Sequence, residues 1–440
     1  MSDKIIINGG RELTGEVSIG GAKNAVLKLI AASILVDDIC EIHNVPELTD
    51  VKTMVEVINH LGVKTEYNPQ ESSLIINAKH ITNYEACYEL VSKMRASFTV
   101  LGALLGRCKE ARVALPGGCA IGERRIDLHI KGLEALGAQI KIENGYVVAK
   151  ATKLTGAEIL LDRPSVGATE NIMLAAVLAE GSTIISNVAQ EPEIVDLANF
   201  LNAIGADVSG AGTSEIVING VKQQDLHSTT YTTIPDRIEA GTYIAAIIAT
   251  KGNAIVRNVY PAHLSAVSSK LNDMGANITL IDPVTIEVSC NSRPKAVDIV
   301  TQPHPGFPTD LQSPFMSVLT VSKGISVITE SIYENRFRQV GELRRMGADV
   351  QQEGNHVIVK GVKQLTGTKV KASDLRAGAS LIVASLCARG TSEIENLYHI
   401  DRGYEKLIEK LSDLGADIQR ITDDTSNSDI DIQNYNEIRI

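Results

Sequence analysis

A hydrophobic-Gly-small triplet recurs six times along the chain, placing glycines at Gly62, Gly137, Gly205, Gly275, Gly347 and Gly415, separated by 75, 68, 70, 72 and 68 residues. Each triplet closes an amphipathic stretch, such as Ile194 to Ile204, and opens a strand-like one, such as Ala206 to Ser209. A left-handed glycine just past a helix C-terminus produces that junction. So regular a period means one folding unit copied six times.

The copy that begins near Gly156 predicts a strand over Glu158 to Leu161, a helix over Ala168 to Ala179, a strand over Ser182 to Val188, a helix over Ile194 to Ile204, and two strands ending at Ile218. This is a βαβαββ unit of about 70 residues. Its first helix is apolar nearly all round, from Ile172 through Ala179, and so are Tyr243 to Ala249 and Leu381 to Leu386. A helix apolar on every face must be buried on every face. The helices therefore form cores and the sheets lie outside, an α/β fold of two domains, each an inside-out α/β barrel of three repeats. Tyr231 to Asp236 reads as the crossover, which predicts one discontinuous domain of residues 1–22 and 234–422 and a second of residues 23–233. The polar, acidic stretch 423–440 falls outside the repeats and reads as an appended tail.

Composition narrows the function. The start MSDKIIINGG has neither the basic region nor the apolar core of a signal peptide. No apolar run reaches the roughly 18 residues of a membrane span, so a cytoplasmic protein without a membrane partner is expected. A net charge of −11, no Trp and 4% aromatics exclude the basic surface and stacking platforms of a nucleic-acid binder. The six cysteines are widely spaced, no CxxC, HxxxH or HExxH occurs, and neither a P-loop nor a GxGxxG turn is present. The expectation is a reduced protein with no metal and no cofactor.

Aligning the repeats on their apolar helices puts polar residues at each helix start: Lys23-Asn24, Arg95, Ser165 with Thr169, Asp236-Arg237, Asp310, and Asp374 with Arg376. A second set follows the third element of each unit: Cys119, Glu191-Pro192-Glu193, Tyr260-Pro261, Glu334-Asn335-Arg336 and Asp401-Arg402. Helix N-termini already carry a partial positive charge, so Lys or Arg there makes an anion site rather than a favourable cap. With the two domains facing end to end, Lys23, Arg95 and Arg124 would meet Arg336, Arg376 and Arg402 across a cleft suited to phosphates and carboxylates. Asp310 and Asp374 read equally well as helix caps. Cys40, Cys87, Cys108, Cys290 and Cys387 sit among apolar or strand-like neighbours and read as small hydrophobes. Cys119, in the glycine-rich loop Leu115 to Arg125 with two arginines nearby, reads as an activated thiol.

The motifs Gly21-Ala22-Lys23-Asn24, Lys93 to Ser97, Leu115 to Arg124, Pro164 to Thr169, Ile234 to Arg237, Glu334 to Phe337, Asp374 to Ala377 and Asp401 to Tyr404 together resemble the enolpyruvyl transferase family, in its branch that acts on UDP-N-acetylglucosamine. The resemblance runs in order from residue 1 to about 420. It implies transfer of the enolpyruvyl group of phosphoenolpyruvate to the sugar 3-hydroxyl with release of phosphate, by addition and elimination, as the committed step of peptidoglycan precursor synthesis. It also implies Cys119 as general acid, Asp310 as base and Asp374 as an aid to proton movement. Lys23, Asn24, Arg124, Arg376 and Arg402 would hold phosphoenolpyruvate. Asn24, Arg95, Arg124, Arg125, Ile126, Asp127, Leu128, Arg163, Ser165, Val166, Gly167, Asp310 and Ile332 would hold the nucleotide sugar. Arg125 stands where many members have Pro, and Arg163 where some have Lys. The related shikimate-pathway enzyme differs in a Lys-Ser start to its first helix and in lacking the loop cysteine.

Overall fold

In the computed structural model, residues 3–116, 122 and 125–422 are described. The repeat appears as six four-stranded sheets among these residues. In the copy near Gly156, Glu158–Leu160 pairs parallel with Ser182–Ser186, which pairs antiparallel with Glu215–Asn219, itself antiparallel to Asp207–Ser209. A parallel pair needs a crossover, here the helix Val166–Ala176, and the second helix, Pro192–Ala203, leads into the last two strands. The six triplet glycines all have positive φ, from +84° at Gly415 to +98° at Gly205.

The apolar helices are interior. Arg237–Ala249, Thr309–Thr320 and Leu375–Cys387 pack on one another inside three sheets. Lys23–Ala32, Val100–Cys108 and Val166–Ala176 occupy the interior of the other half. Buried apolar side chains form two separate clusters, one drawn from Val26 to Leu226 and the other from Ile5 to Ile19 together with Ile238 to Ile418.

Two strands explain the division. Thr14–Ser18 pairs parallel with Asn253–Arg257, so the chain's beginning completes a sheet of the later half, and Thr229–Thr232 returns to pair with Ile39–His43. The chain thus crosses between halves twice, side by side: Ala22 N donates to Ile234 O at 2.7 Å and Asp236 N to Gly20 O at 2.9 Å. Gly21 is required at this crossing, because a Cβ there would stand 1.7 Å from the Asn44 carbonyl oxygen.

Candidate active site

The helix starts are not equivalent. Asp236 and Asp374 are N-caps: Asp236 accepts from the backbone N–H groups of Ile238 and Glu239, and Asp374 from those of Arg376 and Ala377, at 3.1 and 3.0 Å. Ser165 caps Val166–Ala176 by accepting from Ala168 N at 3.4 Å. Lys23 opens its helix with no capping side chain and no acid in the first turn. Its backbone N–H instead reaches Asp236 Oδ2 of the other half at 3.1 Å. Arg95 begins a 3₁₀ turn, Arg95–Thr99, that leads into Val100–Cys108.

Asp310 caps nothing. It is the second residue of Thr309–Thr320, and its two oxygens accept from Arg336 Nη2 at 2.6 Å and from Arg376 Nη2 at 3.0 Å. Burial pushes its pKa up, but Arg376 and then Arg336 outweigh burial and hold the carboxyl well below its ordinary value. Arg376, buried, also donates to the Tyr404 hydroxyl at 3.1 Å, which meets Thr242 Oγ1 at 3.0 Å. This network holds the guanidinium between Asp310 and Tyr404.

A second carboxylate binds the remaining cations. Asp50, buried in the first turn of Thr49–His60, accepts from Lys23 Nζ at 3.2 Å and from Arg402 Nε at 2.8 Å. Burial lowers the pKa of Lys23, Asp50 opposes that, and Arg376 and Arg402 push it down again. Asp310 is a further electrostatic neighbour. Lys23, Arg376, Arg402, Asp50 and Asp310 therefore form one charge cluster with contributions from both halves. Nearby, Arg237 grips Glu193 through Nε and Nη2 at 3.0 and 3.1 Å, a buried bidentate pair across the same seam.

Of the residues expected to hold the nucleotide, Arg95, Arg125, Asp127 and Arg163 are joined to one another. Arg125 and Arg163, the two departures from the common pattern, converge on Asp127 at 3.6 and 3.3 Å, and Arg95 Nη2 donates to the Arg125 carbonyl at 3.5 Å. Asn24, Ile126, Val166, Gly167 and Ile332 are half-buried, whereas the Leu128 side chain belongs to the core. Beneath this group His129 contacts Asn171 at 3.0 Å. Burial, then the positive charge of Arg95, lowers the His129 pKa to about 3, so the ring is neutral. Cys119 and Arg124 lie outside the described residues. Gly122, which is described, lies against the other half: a Cβ there would stand 2.7 Å from Glu334 Oε2.

Two organising carboxylates escaped the sequence reading. Asp50 looks there like an ordinary acid in a helix's first turn. Glu330, buried at the end of Ile325–Thr329, accepts from the Thr301 and Thr309 hydroxyls and from the backbone N–H groups of Ile332 and Tyr333 at 2.8 to 3.2 Å. It fixes Ile332 and the start of the Asp310 helix together. Only an alignment of the six copies in space would single out either residue.

The sequence pattern of the EPSP synthase (3-phosphoshikimate 1-carboxyvinyltransferase) family matches residues 7–411, and this chain belongs to that family of carboxyvinyl transferases. Within it the chain stands beside proteins named UDP-N-acetylglucosamine 1-carboxyvinyltransferase. One from Carboxydothermus hydrogenoformans, numbered 2, is 52% identical over 422 residues, covering 96% of this chain and 100% of its own length. Those from Gloeobacter violaceus and Desulfosudis oleivorans are 52% and 51% identical, covering 94% and 96% of this chain and 90% and 100% of their own lengths. Among solved structures, the enolpyruvyl transferase NikO from Streptomyces tendae superposes with a TM-score of 0.86 at 24% identity, over 96% of this chain and 100% of its own. EPSP synthase from Acinetobacter baumannii gives 0.73 at 19%, over 96% and 100%. These two establish the two-domain inside-out α/β fold.

Proposed function

We propose that this chain transfers the enolpyruvyl group of phosphoenolpyruvate to the 3-hydroxyl of UDP-N-acetylglucosamine, releasing phosphate, as the committed step of peptidoglycan precursor synthesis in the cytoplasm. The observation that carries the reading is the convergence of Lys23, Arg376 and Arg402 from both halves on one cluster whose anions are Asp50 and Asp310. A small ligand with a phosphate and a carboxylate matches that surplus of buried positive charge. We take residues 1–22 with 234–422 and residues 23–233 as the two domains whose closure over this cluster excludes water.

The reaction adds the sugar 3-oxygen to C2 of phosphoenolpyruvate while a proton goes to C3. The C2–O bond to phosphate then breaks as a proton leaves C3. Asp310 takes the sugar proton, and its pairing dictates when. With Arg376 and Arg336 both on its carboxylate it is a weak base. An anionic ligand that competes for Arg376 removes the stronger of the two attractions and raises its basicity as both substrates arrive. Asp374, spent on capping its helix, assists proton movement only through its second oxygen. Cys119 delivers the proton to C3. Lys23, Arg124, Arg376 and Arg402 neutralise the departing phosphate in a closed site where each fixed charge contributes about 2–4 kcal/mol. Asn24, Arg95, the stretch 125–128, Arg163 to Gly167 and Ile332 seat the nucleotide sugar.

Phosphate release from phosphoenolpyruvate, measured with and without UDP-N-acetylglucosamine, tests the reading. Release that requires the sugar is expected. Release that ignores it, or that needs shikimate 3-phosphate instead, overturns it.

A further inference from the structure

Asp50 carries no role in the reading above, yet it is the residue on which that reading's cations are hung. Its side chain is 3% exposed, so it is no solvated helix-start acid. Lys23 reaches Asp50 Oδ2 from the half that Asp50 shares, and Arg402 reaches Oδ1 and Oδ2 at 2.8 and 3.4 Å from the opposite half. Backbone contacts keep the approach in register: Thr49 N donates to Asp401 O at 3.3 Å and Glu47 N to Glu405 Oε1 at 2.8 Å. The helix Thr49–His60 is thus anchored to the Asp401–Arg402 loop at the very turn that carries Asp50. Two cations brought to one carboxylate are spaced for one small oxyanion, because a phosphate presents oxygens at similar separation.

We propose that Asp50 is a positioning residue for phosphoenolpyruvate, holding Lys23 of one half and Arg402 of the other at the spacing that the ligand's phosphate takes up. The proposal rests on the transferase reading. Asp50 acts in two ways. It sets where the two side chains point before substrate arrives, and its charge keeps Lys23 protonated beside Arg376 and Arg402, with Asp310 the other acid facing it. When the ligand binds, Arg402, one-third exposed, is the partner free to turn toward it while Lys23 keeps its hold on Asp50.

The experiment compares the full-length protein with Asp50→Asn and Asp50→Glu in steady-state turnover across pH. Asp50→Asn is expected to raise KM for phosphoenolpyruvate at least tenfold and leave the Kd for UDP-N-acetylglucosamine within twofold. It also moves the alkaline limb of kcat/KM for phosphoenolpyruvate to lower pH, because Lys23 loses the larger of the two carboxylate charges, Asp50 and Asp310, that favour its protonated form. Asp50→Glu, with its charge on a longer arm, is expected to restore the alkaline limb but only part of KM, separating charge from spacing. A general packing role would leave the limb in place, so an unmoved limb with unchanged KM overturns the proposal. If Asp50→Asn does not fold, Asp50→Glu decides: wild-type KM in that variant overturns the spacing argument. Absence of sugar-dependent turnover in the wild type strikes the transferase reading instead, which keeps the two failures apart.

Discussion

Two helix starts in the same half, those of Thr309–Thr320 and Leu375–Cys387, each bring an aspartate to one end of a buried helix, yet the aspartates do different work. Asp374 has extended backbone and spends one carboxylate oxygen on two N–H groups of its own helix. Asp310 is the second residue of its helix, makes no capping bond to the first N–H groups, and is gripped by two arginines. A shift of two positions relative to the first helical residue separates a cap from the anion of a charge cluster. Position in the turn, rather than residue type, decides here whether an aspartate binds its own helix or distant arginines.

The two aspartates are expected to differ most in turnover. Asp310→Asn keeps the shape and removes the proposed base, so kcat is expected to fall about 10²–10⁴-fold, while the Kd for the sugar, read by calorimetry, changes by the equivalent of one hydrogen bond, about 0.5–1.5 kcal/mol. Loss of sugar binding with normal turnover per bound complex would make Asp310 a binding residue. Next in size, Arg402→Ala is expected to raise KM for phosphoenolpyruvate by the equivalent of about 1.5–3 kcal/mol, with a smaller effect on the sugar.

Acid sharpens the contrast. A carboxyl whose pKa is depressed on folding adds stability that is fully present above its unfolded value, about 3.9, and lost as pH falls through the folded one. Asp310 and Asp50 both belong to this class. The melting difference between wild type and Asp310→Asn should therefore hold from neutrality down to about pH 4 and shrink below it. A difference that grows as pH falls would mean that the pairing with Arg336 and Arg376 does not stabilise the fold. The smallest effect belongs to Asp374→Ala, which loses a cap and about 1 kcal/mol of stability in denaturant titration. Asp374→Ser, which keeps a capping oxygen, should recover most of it. Turnover that stays low in the serine variant would add a chemical role to the structural one.

The repeat was legible because its glycines and its all-apolar helices are local signals with a fixed period, and both survive in the sheets and cores observed. Element ends slipped by one to three residues: the helix expected over Ala168 to Ala179 is Val166–Ala176, since Ser165 caps it earlier than its apolar run begins. Lys23, Arg376 and Arg402 were found as charges out of place at helix starts and loop ends. Asp50 and Glu330 were not, because a buried acid in a first turn or at a strand end has no local mark that separates it from a solvated one. The side chains that reach Asp50 lie 27 and 352 residues away, and the hydroxyls that reach Glu330 lie 21 and 29 away, distances at which sequence pattern carries no pairing information. The five described cysteines bear out their reading as small hydrophobes only in part. Cys40 and Cys290 are buried, whereas Cys87, Cys108 and Cys387 are half-buried. Burial nonetheless pushes the thiols of Cys40 and Cys387 up to about 11 and 12, which leaves them poor nucleophiles near neutral pH.

Addition and elimination through a protonated C3 can be read directly from isotope. Turnover of phosphoenolpyruvate and UDP-N-acetylglucosamine in D₂O, followed by mass spectrometry of the sugar product, is expected to show one enolpyruvyl group per phosphate released, with deuterium in its methylene, because the C3 proton delivered in the first step comes from an exchangeable group on the protein. Phosphate that accumulates while the sugar keeps its mass, or an enolpyruvyl sugar free of deuterium, would contradict the account.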